Sequence, residues 1–158
     1  MRVGFGYDLH PLISDRPLIL GGVHIPFDKG LNGHSDADVL CHAIADALLG
    51  AVALGDIGEH YPDTDASYKD ISSLLLLENV KDKLFGAGYK IVNVDSTVVA
   101  EAPKLMQYRQ KMTREIALAL KLSQDQVSVK ATTNERFGCI GRLEAIAAFA
   151  VVSVEKTP

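Results

Sequence analysis

The chain predicts an α+β fold: one domain with a mixed β-sheet and helices packed mainly on one of its faces. Three observations predict it. Arg2-Val3-Gly4-Phe5-Gly6-Tyr7-Asp8-Leu9-His10 alternates apolar with small or polar side chains at the period of a strand. Helical apolar stripes follow, and β-rich runs return between and after them. The 158 residues are 47% hydrophobic, enough for one domain with a substantial core, and no repeat, low-complexity tract or linker divides them.

The elements follow in order. After the first strand, residues 17–20 and 23–27 flank Gly21-Gly22, a dipeptide that tolerates positive φ and suits a two-residue hairpin. Ser35 reads as a helix N-cap with Asp38 three residues later, and Val39, Leu40, Ala43, Ile44, Ala47, Leu48 and Ala51 supply an apolar stripe, so a helix is expected over 36–54. Residues 56–65 form a Gly-, Pro- and Asp-rich loop. A second helix is expected from 67 or 69 to 85, stopped by Gly86 and Gly88. Residues 89–101 read as a strand, and Pro103 suits the first turn of a third helix ending near 122. Strands over 127–133 and 143–155, separated by Gly138-Cys139-Ile140-Gly141, complete the sheet.

A net charge of −4 argues against nucleic acid or an anionic membrane surface as partner, because either needs a coherent basic patch. Arg109, Lys111 and Arg114 fall at helical spacing and read as a solvated face. Cys41 and Cys139 are far apart and in no metal-ligand spacing, which fits a reducing cytoplasm. The start of the chain has no secretory-leader pattern, and its longest apolar stretch, residues 145–152, is far short of the roughly 20 residues a membrane helix needs.

Chemistry concentrates in the first half, where all five histidines lie. The strand period places Asp8 and His10 on one face, and His42 from the first helix would complete one carboxylate and two imidazoles, the donor set of a catalytic zinc site with an open position. The alternative is an Asp8 that caps a turn beside ordinary histidines. Two imidazoles and a carboxylate also fit non-haem iron, and hence an oxygenase. Gly33-His34-Ser35-Asp36-Ala37-Asp38 leads into the helix, whose free amides and dipole suit a phosphate or diphosphate; the other reading is a capping box alone. Asp46, one turn beyond His42, either orients that imidazole or is a surface acid.

Asp56-Ile57-Gly58-Glu59-His60-Tyr61-Pro62-Asp63-Thr64-Asp65 is acidic, so a phosphate bound near it needs intervening divalent cations, while Asp56 is suited to accept hydrogen bonds from substrate hydroxyls. Lys130-Ala131-Thr132-Thr133-Asn134-Glu135 ends a strand with phosphate-gripping hydroxyls and a carboxylate suited to Mg2+. In Ala100-Glu101-Ala102-Pro103-Lys104-Leu105-Met106, Lys104 either contacts phosphate or is solvated.

Taken together, Gly6-Tyr7-Asp8-Leu9-His10, Gly33-His34-Ser35-Asp36-Ala37-Asp38, Asp56-Ile57-Gly58, Tyr61-Pro62-Asp63-Thr64-Asp65, Pro103-Lys104 and Lys130-Ala131-Thr132-Thr133-Asn134-Glu135 resemble the 2-C-methyl-D-erythritol 2,4-cyclodiphosphate synthase family, in order over nearly the whole chain. The resemblance implies a homotrimer with active sites between subunits that cyclises 4-diphosphocytidyl-2-C-methyl-D-erythritol 2-phosphate and releases CMP in non-mevalonate isoprenoid biosynthesis. It implies Zn2+ on Asp8, His10 and His42, and Mg2+ or Mn2+ on Glu135. It also implies that His34 and Thr133 act on the diphosphate, with Leu9, Ser35 and Asn134 among the substrate contacts. Asp56, Ile57 and Gly58 would meet the erythritol, residues 61–65 would border it, and residues 100–106 with Ala131 and Thr132 would hold the CDP portion. Arg142 would lie near the trimer axis with Cys139, which stands where the family usually has an aromatic residue. A non-catalytic trimeric nucleotide-binding or metal-sensing module is the reading from another class.

Overall fold

The computed structural model describes residues 1–157. A long first strand, β1 (Arg2–Ser14), is followed by the small hairpin of β2 (Leu18–Leu20) and β3 (Val23–Ile25), then by β4 (Lys29–Leu31). Helix α1 (Val39–Ala51), the single-turn α2 (Ile57–His60) and α3 (Ser73–Gly86) precede β5 (Tyr89–Val99). Helix α4 (Arg109–Leu120), β6 (Val127–Thr132), the single-turn α5 (Gly138–Gly141) and β7 (Ala145–Lys156) complete the order. The main sheet runs β4-β1-β7-β5-β6, antiparallel throughout except for the parallel β5/β6 pair, and so is mixed, as the sequence predicts.

The alternation along β1 sorts its two faces. Gly4, Gly6, Asp8 and His10 pair in register with Val152, Ala150, Ala148 and Ile146 of β7 and share the face covered by α1. A Cβ on Gly4 would lie 1.9 Å from the Ala47 carbonyl oxygen, and one on Gly6 would lie 2.0 Å from that of Ala43. Only hydrogen fits between strand and helix there. Ala43, Ala47, Ile44 and Leu48 fill the seam, and α1 is buried almost all round because the hairpin and α3 close over its other sides. On the opposite face Val3, Phe5, Tyr7, Phe149 and Val151 are exposed, with the Tyr7 and Phe149 rings 5.0 Å apart. Near one end of that face Leu9 and Cys139 pack against Val99, Ile140 and Ala147.

Several boundaries differ from the sequence expectations, each for a local reason. Helix α1 starts at Val39, and its N-cap is Asp38 rather than Ser35: the Asp38 carboxylate accepts from the Cys41 amide (3.1 Å) and also from Gly21 (3.0 Å) and Gly22 (2.7 Å) at the hairpin turn. Ser35 instead accepts the Ala37 amide through Oγ at 3.1 Å, and Asp36 accepts that of Asp38. The expected cradle of free helix amides is therefore largely spent within the chain.

Helix α3 starts at Ser73, later than expected, because Asp36 holds the Ser73 amide and the Asp36 amide bonds Ile71. A short 3-10 turn, Ala66–Tyr68, occupies the expected first turn. Pro103 does not begin α4: the ladder with β6 continues to Ala100, whose amide donates to Thr132, so residues 101–105 turn out of the sheet before the 3-10 turn Met106–Tyr108 leads into α4. Strand β4 and the single turns α2 and α5 are additional.

Gly6→Ala is expected to force α1 off β1 and cost about 1–3 kcal/mol, the usual range for overpacking, read as a lower urea midpoint at unchanged m-value.

Candidate metal centre and adjoining cavities

Asp8 and His10 leave β1 two residues apart, and His42 reaches them from the first turn of α1. Asp8 Oδ2 lies 2.9 Å from His10 Nε2 and 3.0 Å from His42 Nδ1, and the two imidazole nitrogens are 3.1 Å apart. Each residue offers a ligand atom within 4.8 Å of the others, and all three are half-buried. Asp8 Oδ1 accepts the Leu9 amide at 2.9 Å, which turns Oδ2 inward.

Hydrogen bonding outside the triad tests whether a metal fits. The Asn32 carbonyl 2.7 Å from His10 Nδ1 can only accept, so Nδ1 carries a hydrogen and the Nε2 of a neutral ring points a lone pair at Asp8 and His42. An oxygen anion and an imidazole lone pair at such distances need a cation between them. Without a metal, a proton supplies it. Burial pushes the Asp8 carboxyl up, but hydrogen bonds and charge from His10 and His42 outweigh it and hold the carboxyl well below its usual range. Burial lowers the His10 pKa, yet Asp8 and the Asn32 carbonyl outweigh that and leave it raised. The donor set fits a borderline divalent ion with an open position.

The centre faces a cavity of about 270 Å³ lined by residues that include His10, Gly33, His34, Ser35, His42, Ile57, Gly58, Tyr61 and Asp63. Arg16 fixes its rim by donating to the carbonyls of Gly33 (3.0 Å) and Ser35 (2.8 Å), on either side of His34. His34 Nε2 donates to the Asp65 carbonyl at 2.9 Å. Asp56 caps α2 by accepting the Glu59 amide, and Asp65 caps the following turn through Ser67. The Tyr61 hydroxyl is buried without a hydrogen-bond partner among the described residues, and burial with the nearby Tyr68 pushes its pKa up to about 12. Pro62 and Thr64 lie in the connecting loop but not among the lining residues, and the Leu9 side chain packs on the opposite face. Asp46 does not orient His42: it accepts the Ile57 amide at 3.2 Å and so anchors α2, while His42 Nε2 meets the hydroxyls of Ser35 and Ser73.

A second cavity, about 350 Å³, gathers most of the other expected contacts: Ala100, Glu101, Pro103, Lys104, Leu105, Met106, Ala131, Thr132 and Thr133. Arg109 joins them, a residue the sequence places on a solvated face; its Nε donates to the Val129 carbonyl at 2.8 Å. The signal was a cation one helical turn beyond the Lys104-Leu105-Met106 run. Glu135 lies outside the triad, exposed at a left-handed turn (φ 50°), and accepts from the Thr133 hydroxyl at 3.1 Å. Asn134 donates to the Phe137 carbonyl, and Arg142 pairs with Glu144 at 2.9 Å. The two cavities share no lining residue. A larger groove of about 590 Å³ between α4 and the edge strand β6 contains none of the triad.

An acid and two imidazoles at a strand–helix seam, beside a cavity lined by imidazole, hydroxyl and apolar side chains, fit a metal-binding α+β enzyme. The YgbB family model matches residues 1–155, and the chain belongs to that family. It is 61% identical over 155 residues to the 2-C-methyl-D-erythritol 2,4-cyclodiphosphate synthase of Desulfatibacillum aliphaticivorans, covering 98% of this chain and all of that one. It is 59% identical over 157 residues to that of Pelotomaculum thermopropionicum, covering 99% and 97%. Among solved structures it resembles the bifunctional IspDF of Campylobacter jejuni (TM-score 0.95, 44% identity, 98% of this chain and 42% of that one). It also resembles the CDP complex of Plasmodium falciparum IspF (TM-score 0.87, 33% identity, 99% and 97% coverage).

Because a metal must displace the proton His10 shares with Asp8, zinc affinity is expected to fall as pH drops below the raised His10 pKa, by about tenfold per pH unit for one displaced proton. Chelator-competition titrations across pH check this, and an affinity flat through the acid range would contradict it.

Proposed function

We propose that this chain converts 4-diphosphocytidyl-2-C-methyl-D-erythritol 2-phosphate to 2-C-methyl-D-erythritol 2,4-cyclodiphosphate and CMP, a phosphorus–oxygen lyase step of non-mevalonate isoprenoid biosynthesis. The observation that carries the reading is the Asp8–His10–His42 centre facing the cavity lined by His34 and Ser35. Family membership and the relatives' names support it. Residues 1–158 act as one cyclodiphosphate-synthase-like domain in the cytoplasm. No helix among the described residues is long and apolar enough to cross a membrane, and the two free thiols suit a reducing compartment.

In the reaction an oxygen of the substrate's 2-phosphate bonds to the β-phosphorus, and the bond from that phosphorus to the oxygen bridging to CMP breaks, its electron pair leaving with CMP. Ring closure is unimolecular, so holding the two phosphorus groups together supplies much of the rate. Asp8, His10 and His42 would hold Zn2+ and Glu135 would hold Mg2+ or Mn2+, and the bound ions would neutralise charge on the diphosphate. His34, its flanking carbonyls held by Arg16, and Thr133, in the second cavity, would align and polarise the diphosphate. Asp56 to Gly58 meet the erythritol and residues 61–65 border it, while Ser35 beside His42 and the backbone of Leu9, next to Asp8, are further substrate contacts. Residues 100–106, Ala131, Thr132 and Asn134 hold the cytidine diphosphate, and Cys139 and Arg142 face the axis of assembly.

The assembly is a homotrimer with active sites between subunits. Two features support it. The residues required by one substrate fall into two cavities with no shared lining residue, and the uncovered face carrying Val3, Phe5, Tyr7, Phe149 and Val151 gives copies an apolar surface to bury.

Purified protein with divalent metal is expected to release CMP and the cyclic diphosphate from the cytidylyl substrate, and His34→Ala is expected to lose turnover by about 100-fold or more while keeping CDP binding. His42→Ala and Thr133→Ala are each expected to be nearly inactive alone. Co-expressed, they are expected to recover up to about one quarter of wild-type activity, since a site drawing on two chains is intact in that fraction of random pairings. No recovery would place each site within a single chain.

A further inference from the structure

His42 is held from both sides. Its Nδ1 faces Asp8 and His10, and its Nε2 lies 3.0 Å from the hydroxyl oxygens of both Ser35 and Ser73. Ser73 is fully buried at the start of α3, and its hydroxyl donates to Asp36 Oδ1. Asp36 Oδ2 accepts the Ser73 amide at 3.0 Å, so one carboxylate grips both donors of a residue 37 positions away in the chain. The preceding residue, Ser72, makes no side-chain cap for α3. Asp36 takes that place, with its negative charge at the positive end of the helix dipole.

Hydrogen counting fixes the rest. An ionised carboxylate only accepts, and a serine hydroxyl has one hydrogen to give. With that hydrogen committed to Asp36, Ser73 Oγ presents only lone pairs to His42, and the hydrogen between them belongs to the imidazole. We propose that Asp36 and Ser73 are positioning residues that hold His42 in its Nε2–H tautomer, leaving Nδ1 unprotonated as the metal ligand. The inference rests on the metal reading of the triad and extends it to two residues that touch neither metal nor substrate. Ser35, whose Oγ already accepts the Ala37 amide, keeps its own hydrogen free for the cavity.

The same tie couples the two functional histidines. The Asp36 amide donates to the Ile71 carbonyl, and the Asp70 amide donates to the His34 carbonyl at 2.9 Å. The segment carrying His34 is thereby stitched to the start of α3, and α3 orients His42 through Ser73. Second-sphere partners of this kind set ring orientation and ligand basicity, and their loss typically weakens metal binding about 10–100-fold.

The test reads the tautomer directly. Metal-free wild-type protein labelled with 15N-histidine is expected to show long-range 1H–15N correlations with a protonated Nε2 and an unprotonated Nδ1 for His42, assigned by their loss in His42→Ala. An Nδ1–H pattern in the wild type overturns the proposal. Ser73→Ala is expected to redistribute the tautomers and raise the zinc dissociation constant about 10–100-fold, with Ser73→Thr restoring both. Asp36→Asn, which can donate to Ser73 and turn its hydroxyl hydrogen toward His42, is expected to favour Nδ1–H. A Ser73→Ala protein that keeps the wild-type pattern and binds zinc within about twofold of wild type also overturns it. Wild-type protein that shows Nε2–H yet binds no zinc refutes the metal reading, and with it the ligand role of Nδ1.

Discussion

Two glycines let strand β1 and helix α1 meet backbone to backbone. Gly4 and Gly6 let the Ala43 and Ala47 carbonyls of α1 come within about 2 Å of where side chains would begin on β1. That contact sets both the distance and the rotation of α1 relative to the sheet, and the metal centre inherits them. Asp8 and His10 follow Gly6 on the same strand face, and His42 precedes Ala43 on the helix, so the three ligands meet where the seam reaches its end. Larger side chains in β1 would keep the core apolar but separate imidazole from carboxylate.

Around this seam the chain spends acids on its own backbone. Asp38 is fully buried; burial and the neighbouring Asp36 raise its pKa, and the amides of Gly22, Cys41 and Gly21 oppose them. Its hydrogen bonds tie the hairpin turn to the start of α1. Asp36 ties the same segment to α3, and Asp46 ties α1 to α2. The acidic composition that looks unfavourable for binding phosphate is therefore partly consumed as internal capping. What remains facing the cavity is imidazole, hydroxyl and a single acid, Asp63, set among glycine and aliphatic residues.

Legibility in the sequence followed the range of the interaction. The period-2 pattern of β1 placed Asp8 and His10 together, and a helical stripe carried His42 toward them; the glycine pair at 21–22 marked the hairpin. These depend on neighbours in sequence. The sequence favours Ser35 as the cap of α1 because Ser35 and Asp38 both suit that place, and the amides of Gly21 and Gly22 decide for Asp38, a contact visible only once the hairpin is folded back. Helical spacing leaves Asp46 open between orienting His42 and being a surface acid, and the amide of Ile57 claims it instead. Ser73 had no local signal at all, since its role depends on Asp36, and Arg109 was hidden within an ordinary basic helix face.

A small domain that binds metal often depends on it to fold, because the core alone is too small. The arrangement here argues otherwise. Strand and helix are already locked by the glycine contact, by Ala43, Ile44, Ala47 and Leu48 at full burial, and by the Asp38 cap, none of which involves a ligand atom. His10 and His42 are likewise held from outside, by the Asn32 carbonyl and by serine hydroxyls. The triad is therefore pre-organised before any ion arrives, its donor atoms gathered by the fold and by the proton His10 shares with Asp8. The fold supplies the work of holding them there, so the free energy of metal binding is directed at the open position rather than at assembling the protein.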